Sequence, residues 1–258
     1  MVLLGTGTSI GVPVVGCECE VCLSENPRNS RTRAGVLVNG PDGNFVIDTP
    51  PELRIQLIRE RCKLVHAAIF THAHADHIMG LDDLRIFGFR LERDIPLHCE
   101  SIVEDQLRQS FNYAFSAAPK AHRFATPRLS FKRIGPVEPF ELCRLDVQPI
   151  RLMHGKLPTL GFRIADVAYC TDVSTSPADS LEHLQDLDVL IIDTLREEPH
   201  PTHMHLQLAL NTITKLKPKR AFLTHLSHQF DYDKTNQMLP ESVELAYDGL
   251  QLPLQIKP

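Results

Sequence analysis

His72-Ala73-His74-Ala75-Asp76-His77 packs four donor side chains into six residues, separated only by alanines whose small side chains leave a cation room to approach. Imidazole mixed with carboxylate suits zinc, manganese or iron better than calcium, which prefers oxygen. Alternation along an extended loop sends His72 and His74 to one side while Asp76 and His77 reach toward another, so the spacing suggests two adjacent metals on one loop. A lone histidine is ordinarily a surface or satisfied core residue. A packet directly behind the apolar strand residues Ile69 and Phe70 is not explained that way. Nor can it fill two coordination spheres alone, and three distant residues offer themselves just past apolar runs. These are His154 after Val147 to Ile150, Asp172 after Tyr169-Cys170-Thr171, and His225 after Ala221-Phe222-Leu223-Thr224.

Working outward, short apolar runs predict strands at Val2 to Leu4, Gly35 to Val38, Asn44 to Ile47 and Ala67 to Phe70, with a hairpin turn at Asn39-Gly40-Pro41-Asp42-Gly43. More strands are expected at Asp146 to Ile150, Leu160 to Ile164, Val167 to Cys170, Val189 to Ile192 and Ala221 to Leu223. Helices are expected at Glu52 to Arg61, with Leu53, Leu57 and Ile58 on one face, at Ile102 to Phe111 and at His205 to Leu216. Strand and helix recur with no Gly/Ser-rich linker, so residues 1–258 read as a single α/β domain. Val46-Ile47-Asp48-Thr49 and Ile69-Phe70-Thr71-His72 are echoed by Ile191-Ile192-Asp193-Thr194 and Phe222-Leu223-Thr224-His225; two related halves and coincidence both fit.

With 43% hydrophobic and 23% charged residues the chain can bury a sizeable core. A net charge of −5 supplies no broad field favouring nucleic acid or an anionic membrane. The basic groups Arg28, Arg31, Arg33 and Lys215, Lys217, Lys219, Arg220 read as solvated faces or loops. No run approaches the roughly 20 apolar residues of a membrane span, and the opening Met-Val-Leu-Leu-Gly-Thr-Gly has no basic leader, which points to the cytoplasm. Of seven cysteines, Cys17, Cys19 and Cys22 crowd together while Cys62, Cys99, Cys143 and Cys170 are scattered, a pattern better suited to a metal site than to disulfides. The C-x-C-x-x-C thiolates suit tetrahedral zinc but lack a local fourth donor, and a redox-active cluster is the rival reading. Pro199-His200-Pro201-Thr202-His203-Met204-His205 offers three histidines near a helix entrance; His200 and His205 read as surface residues of a proline-rich loop.

Thr71 to His77 followed by His154, Asp172 and His225 resembles the metallo-β-lactamase superfamily, from the first strand to the C-terminus. Within it the chain is most similar to the phosphoribosyl 1,2-cyclic phosphate phosphodiesterases of phosphonate breakdown and their relatives. That similarity rests on Gly5-Thr6-Gly7-Thr8-Ser9, Gly11-Val12-Pro13, Cys17-Glu18-Cys19-Glu20-Val21-Cys22, Gly80-Leu81-Asp82-Asp83-Leu84-Arg85 and Leu223-Thr224-His225-Leu226-Ser227-His228-Gln229-Phe230-Asp231.

The resemblance implies a four-layer αββα sandwich, two mixed sheets with helices on the outer faces. It implies that His72, His74 and His154 hold one metal, that Asp76, His77 and His225 hold the other, and that Asp172 bridges them. Two divalent ions, manganese or zinc, about 3.5 to 4 Å apart can hold a bridging hydroxide and shield charge during attack on phosphorus. It makes Asp76 and His203 catalytic, His203 as general acid for the leaving alkoxide. It supplies His228 as fourth donor to a structural zinc with Cys17, Cys19 and Cys22, tying the N-terminal loop to the C-terminal segment. Asp48 would orient a metal-binding histidine, although the family's following glycine is here Pro50 before Pro51, which could alter the turn.

The expected function is therefore hydrolysis of a cyclic phosphate or small nucleotide-like phosphodiester. Competing functions are a tRNA 3′-processing-type endoribonuclease, for which no extended basic arm is evident, a thioester, lactone or lactam hydrolase, and a non-catalytic metal-binding module. The expected partner is a small phosphodiester, with nucleic acid disfavoured, no membrane, and a homodimer left open.

Overall fold

The structure is a computed structural model that describes residues 1–116 and 125–255. Its first sheet has six strands in sequence order: β1 (Val2–Gly5), β2 (Gly35–Gly40), β3 (Gly43–Ile47), β4 (Ala67–Ile69), β5 (Ile95–Cys99) and β6 (Leu129–Arg133). The second has seven, again in order: β7 (Phe140–Leu142), β8 (Leu145–His154), β9 (Leu157–Ile164), β10 (Val167–Cys170), β11 (Val189–Asp193), β12 (Arg220–Thr224) and β13 (Val243–Leu245). Each sheet begins with antiparallel hairpins and turns parallel, at β3/β4 in the first and β10/β11 in the second. Every parallel strand therefore delivers its carboxyl end to one rim, where open α/β sheets place their ligands.

Strand alternation builds the layers. Phe45 and Ile47 of β3 and Val189 and Ile191 of β11 meet in a central core with Leu160, Phe162, Tyr169 and Phe222. Their neighbours face outward: Val46 and Ala68 pack on α1 (Leu53–Arg59), with α2 (Ala75–Ile78), α3 (Arg85–Arg90), α4 (Ser101–Ser110) and α5 (Asn112–Phe115) on the same side. Leu190, Ile192, Ala221 and Leu223 face α6 (Leu206–Leu216), and α7 (Tyr232–Met238) adds Tyr232 to that cluster. The result is the expected α/β four-layer sandwich. Helix α6 buries Ala209, Ile213 and Leu216 at helical spacing and stops at Lys217, whose left-handed backbone (φ 53°) precedes Pro218.

Several expectations need correction. Ile58 is 60% exposed, because the buried face of α1 is Leu53, Gln56 and Leu57, the i, i+3, i+4 stripe from which Ile58 is rotated away. Arg31 is not a solvated charge: at 1% exposure it donates to the carbonyls of Ser227 (3.1 Å) and Phe230 (2.7 Å), clamping the segment after His225. Arg28 and Arg33 are also engaged, Arg28 over the rings of Tyr232 and Tyr247 and Arg33 with Glu52. Lys215, Lys217, Lys219 and Arg220 are exposed as expected.

Gly5-Thr6-Gly7 serves close backbone packing. A Cβ on Gly5 would lie 1.9 Å from the Arg33 carbonyl oxygen and one on Gly7 2.7 Å from that of Arg31, while Leu226 N–H donates to the Thr6 carbonyl (2.8 Å) on the other side. Among the described residues no helix is long and apolar enough to cross a membrane.

Candidate metal centre

All seven expected ligands converge at the rim. Thr71 and His72 follow β4, His154 ends β8, Asp172 follows β10 and His225 follows β12. His74 caps the N-terminus of α2, which carries Asp76 and His77 inward. Asp172 joins two donor groups, His72 and His74 on one side and Asp76, His77 and His225 on the other; within each group the donor atoms lie within 4.8 Å of one another. Its two oxygens divide between them: Oδ2 is 3.7 Å from His72 Nε2, whereas Oδ1 is 3.4 Å from His77 Nε2 and 3.3 Å from His225 Nε2. His154 adjoins the first group, its ring 5.1 Å from that of His74 and 5.8 Å from that of His72.

Hydrogen bonds fix which nitrogen each ring presents. His77 Nδ1 lies 2.7 Å from Asp48 Oδ2, and a carboxylate oxygen accepts, so His77 donates there and its Nε2 is the nitrogen that faces Asp76 and Asp172. Thr71 spends its hydroxyl hydrogen on the same Asp48 oxygen (2.8 Å), so His72 Nδ1, 2.9 Å away, donates to Thr71 Oγ1. His154 Nδ1–H donates to the Thr202 carbonyl at 2.7 Å. Three imidazoles thus turn Nε2 inward, as metal ligands braced by outer partners do. The Nε2 atoms of His72, His77 and His225 are buried without a hydrogen-bond partner, an arrangement that costs stability unless something electrophilic meets them.

The electrostatics also call for cations. Burial alone would raise the Asp172 pKa, but His225, His77 and His72 outweigh it and hold the carboxyl well below its ordinary range. Burial alone would lower His77 and His225, yet Asp172 and its neighbours hold His77 well above the usual imidazole value and push His225 up to about 9. In the metal-free chain those imidazoles can answer the carboxylates only by taking up protons. Divalent ions would answer them without that demand, and the residues fit such ions.

Asp48 is fully buried and holds a left-handed backbone (φ 64°), as does His225 (φ 60°); both turn a strand end toward the site. The prolines after Asp48 leave its contacts intact, since Thr71 N–H, Thr71 Oγ1 and His77 Nδ1 all reach it. Thr49 N–H also bonds the His77 carbonyl (2.7 Å), so the turn grips α2 directly.

Beside this cluster, His203 is 9% exposed, with its ring 4.7 Å from that of His225 and 4.4 Å from that of His154. Its Nδ1 lies 2.7 Å from Asp193 Oδ2, which also accepts from Val173 N–H (2.9 Å). Asp193 Oδ2 is committed to His203 and Val173, and the further donor grouping of Asp172, Asp193, His203 and His225 shares Asp172 and His225 with the cluster above. In the sequence Asp193 stands out only through the echo of Ile47-Asp48-Thr49 in Ile192-Asp193-Thr194. Its signal was the apolar strand ending in aspartate, shared with Asp48.

Cys17, Cys19, Cys22 and His228 come together as a second cluster. The three Sγ atoms lie 3.2, 3.5 and 3.5 Å from His228 Nδ1. The S-to-N edge of a tetrahedral zinc site with ordinary bond lengths is about 3.5 Å, so one ion fits. The Cys22 backbone N–H lowers the Cys19 thiol to about 6, whereas burial pushes Cys22 up to about 11.

A family model described as Beta-lactamase superfamily domain matches residues 43–226. A solved diphosphatase of the PhnP family superposes with a TM-score of 0.90 at 38% identity, covering 97% of this chain and 94% of that one. Zinc-bound PqqB from Methylobacterium extorquens shares the fold at a TM-score of 0.81 and 17% identity, with 98% and 99% of the two chains covered. Over 253 residues, 97% of its length, the chain is 36% identical to an octanoyltransferase of Porphyromonas gingivalis; it spans only 50% of that relative.

Proposed function

The chain belongs to the metallo-β-lactamase superfamily and has its hydrolase fold, and on that premise we propose that it is a two-metal phosphodiesterase acting on a cyclic phosphate or a small nucleotide-like diester. The observation that carries the dinuclear part is the Asp172 carboxylate divided between the His72 side and the His77/His225 side. His72, His74 and His154 would hold one ion, Asp76, His77 and His225 the other, with Asp172 shared. Bound there, two manganese or zinc ions would supply a water-derived nucleophile at neutral pH and neutralise charge building on phosphorus.

The chain's own chemistry centres on His203. Asp193 accepts its Nδ1–H and is itself pinned by Val173 N–H, so Nε2 is the nitrogen that exchanges a proton with the substrate. A protonated His203 donates from Nε2 to the departing oxygen, and Asp193 stabilises the imidazolium beforehand. An alkoxide, a poor leaving group, gains most from such a donor. Similarity to a diphosphatase across nearly the whole chain supports phosphate chemistry. Cys17, Cys19, Cys22 and His228 would hold a structural zinc, a role supported by their donor set and by the distance of 211 residues in sequence between Cys17 and His228.

The octanoyltransferase relative favours a second reading, hydrolysis of an acyl thioester on the same centre. A thiolate leaves without a proton, so His203 separates the two. Turnover of a 2′,3′-cyclic nucleotide, whose leaving group is an alkoxide, by the manganese- or zinc-loaded protein, compared with an octanoyl thioester, decides between them. Phosphodiester cleavage that collapses in His203→Ala supports the first reading. Thioester cleavage that survives the substitution, with no diester cleavage by wild type, replaces it with the second.

A further inference from the structure

His200, expected to be a surface residue, stands beside the proton donor: its ring is half-buried and 5.2 Å from that of His203. Its Nδ1 accepts from the Thr202 backbone N–H at 3.3 Å, which places the hydrogen on Nε2. No hydrogen-bond partner for that Nε2–H is found among the described residues, although the rest of the loop is tightly held. Arg196 donates to the carbonyls of Glu198 (3.2 Å) and Pro199 (2.7 Å), and prolines flank His200 on both sides. Gln229 bonds Glu197 N–H (3.0 Å) and the Glu198 carboxylate (3.1 Å). The Thr202 carbonyl is the acceptor for His154 Nδ1–H, and a Cβ on Gly155 would lie 2.8 Å from Thr202 Cγ2, so the loop is registered against an expected metal ligand. A braced loop that leaves one ring N–H unspent next to the proton donor is a preorganised donor site. Burial, with His203 and Arg196 nearby, lowers the His200 pKa, so the ring is a neutral donor at physiological pH.

We propose that His200 is a substrate-positioning residue whose Nε2–H binds an oxygen of the leaving group adjacent to the one that takes the His203 proton. His154 and His225 lie against His203, and His200 flanks it as a further neighbour, so the leaving group is the part of the substrate within its reach. The site then prefers diesters whose leaving group carries a second acceptor oxygen, either a phosphoryl oxygen across a P–O–P bridge or a sugar hydroxyl. This rests on the phosphodiesterase reading and specifies its substrate class.

The test compares wild type, His200→Ala and His200→Gln, whose side-chain amide can present an N–H in place of Nε2–H. Substrates are bis(p-nitrophenyl) phosphate, a dinucleoside diphosphate and a 2′,3′-cyclic nucleotide. His200→Ala should raise KM about tenfold for whichever oxygen-bearing substrate wild type prefers, with kcat within about twofold, and leave bis(p-nitrophenyl) phosphate unchanged. His200→Gln should recover most of that loss. A KM effect confined to the dinucleoside diphosphate identifies a phosphoryl acceptor, and one confined to the cyclic nucleotide a sugar oxygen. Equal loss on all three substrates, or no loss on any, overturns the proposal. Calorimetric titration of the zinc-loaded protein with ADP, ribose 5-phosphate and methyl phosphate gives a readout free of turnover. ADP or ribose 5-phosphate should weaken about tenfold in His200→Ala while methyl phosphate holds, and equal affinities in the two proteins for all three ligands overturn the proposal even if wild type cleaves no diester.

Discussion

Asp48–His77 and Asp193–His203 are the same device used twice. In each, an aspartate at the end of an apolar parallel strand accepts from an imidazole Nδ1 at 2.7 Å and is pinned by a backbone N–H, from Thr71 in one and Val173 in the other. They differ at the far nitrogen. His77 is fully buried, with Nε2 3.4 Å from both Asp76 and Asp172. His203 is 9% exposed, and among the described residues its Nε2 has no ion-pair partner. The comparison teaches that the aspartate fixes the tautomer, while burial and the facing charges decide what that tautomer is for. The sealed ring suits a ligand, and the open ring suits a proton donor.

The largest effect expected from breaking the comparison comes at the open ring. His203→Ala should cut phosphodiester turnover by about 10² to 10⁴ while leaving metal content intact. Asp193→Asn keeps the shape but removes the obligate acceptor; turnover should fall by about 10², with metal content unchanged. At the sealed ring, Asp48→Asn should instead show itself as metal affinity about 10- to 100-fold weaker in a competition titration with a chelator. A smaller consequence is expected away from both pairs: Cys17→Ala should lose one zinc per chain in elemental analysis and melt earlier, with the catalytic ions retained. Metal content unchanged by that substitution would remove the zinc from the Cys17/Cys19/Cys22/His228 cluster.

The smallest effect is a pH signature of the metal-free protein. His225 has a folded-state value of about 9, above the ordinary 6.5, so its proton contributes stability fully below pH 6.5 and the contribution is lost as pH rises through 9. Metal loading replaces that proton. The gap in Tm between loaded and metal-free protein should therefore widen from pH 6.5 to 9, by an amount on the order of 5 °C. A gap that narrows over that window would contradict the account of the His225 environment.

The site was legible because its donors sit where short apolar strands stop, and such strands are the plainest pattern in the chain. His72 to His77, Asp172 and His225 could be placed behind β4, β10 and β12 with no long-range information. What escaped was what depends on tertiary contact. Strand β5 reads Ile-Pro-Leu-His-Cys, and Pro96 and His98 interrupt its apolar run; β7 and β13 have three residues each, too few for a period to show. Arg31 looks like any basic residue until Ser227 and Phe230 fold over it. His200 looks like a surface residue of a proline-rich loop until the fold sets its ring beside that of His203.

The echo between the halves proved instructive in its offset. It matches β3 and β4 with β11 and β12, whereas counting from the switch to parallel pairing matches β3 with β10 and β4 with β11. The shared Ile-Asp-Thr pattern thus marks a common solution for ending a buried strand at the rim, and position in the sheet does not follow from it.

The central claim, that one Asp–His pair serves metal and the other serves proton transfer, is tested most directly by turnover of a 2′,3′-cyclic nucleotide, whose leaving group is an alkoxide, in His203→Ala normalised to its metal content by elemental analysis. The account predicts the wild-type complement of metal and turnover lower by at least about 10². Metal lost together with turnover, or turnover per metal equal to wild type, would contradict it.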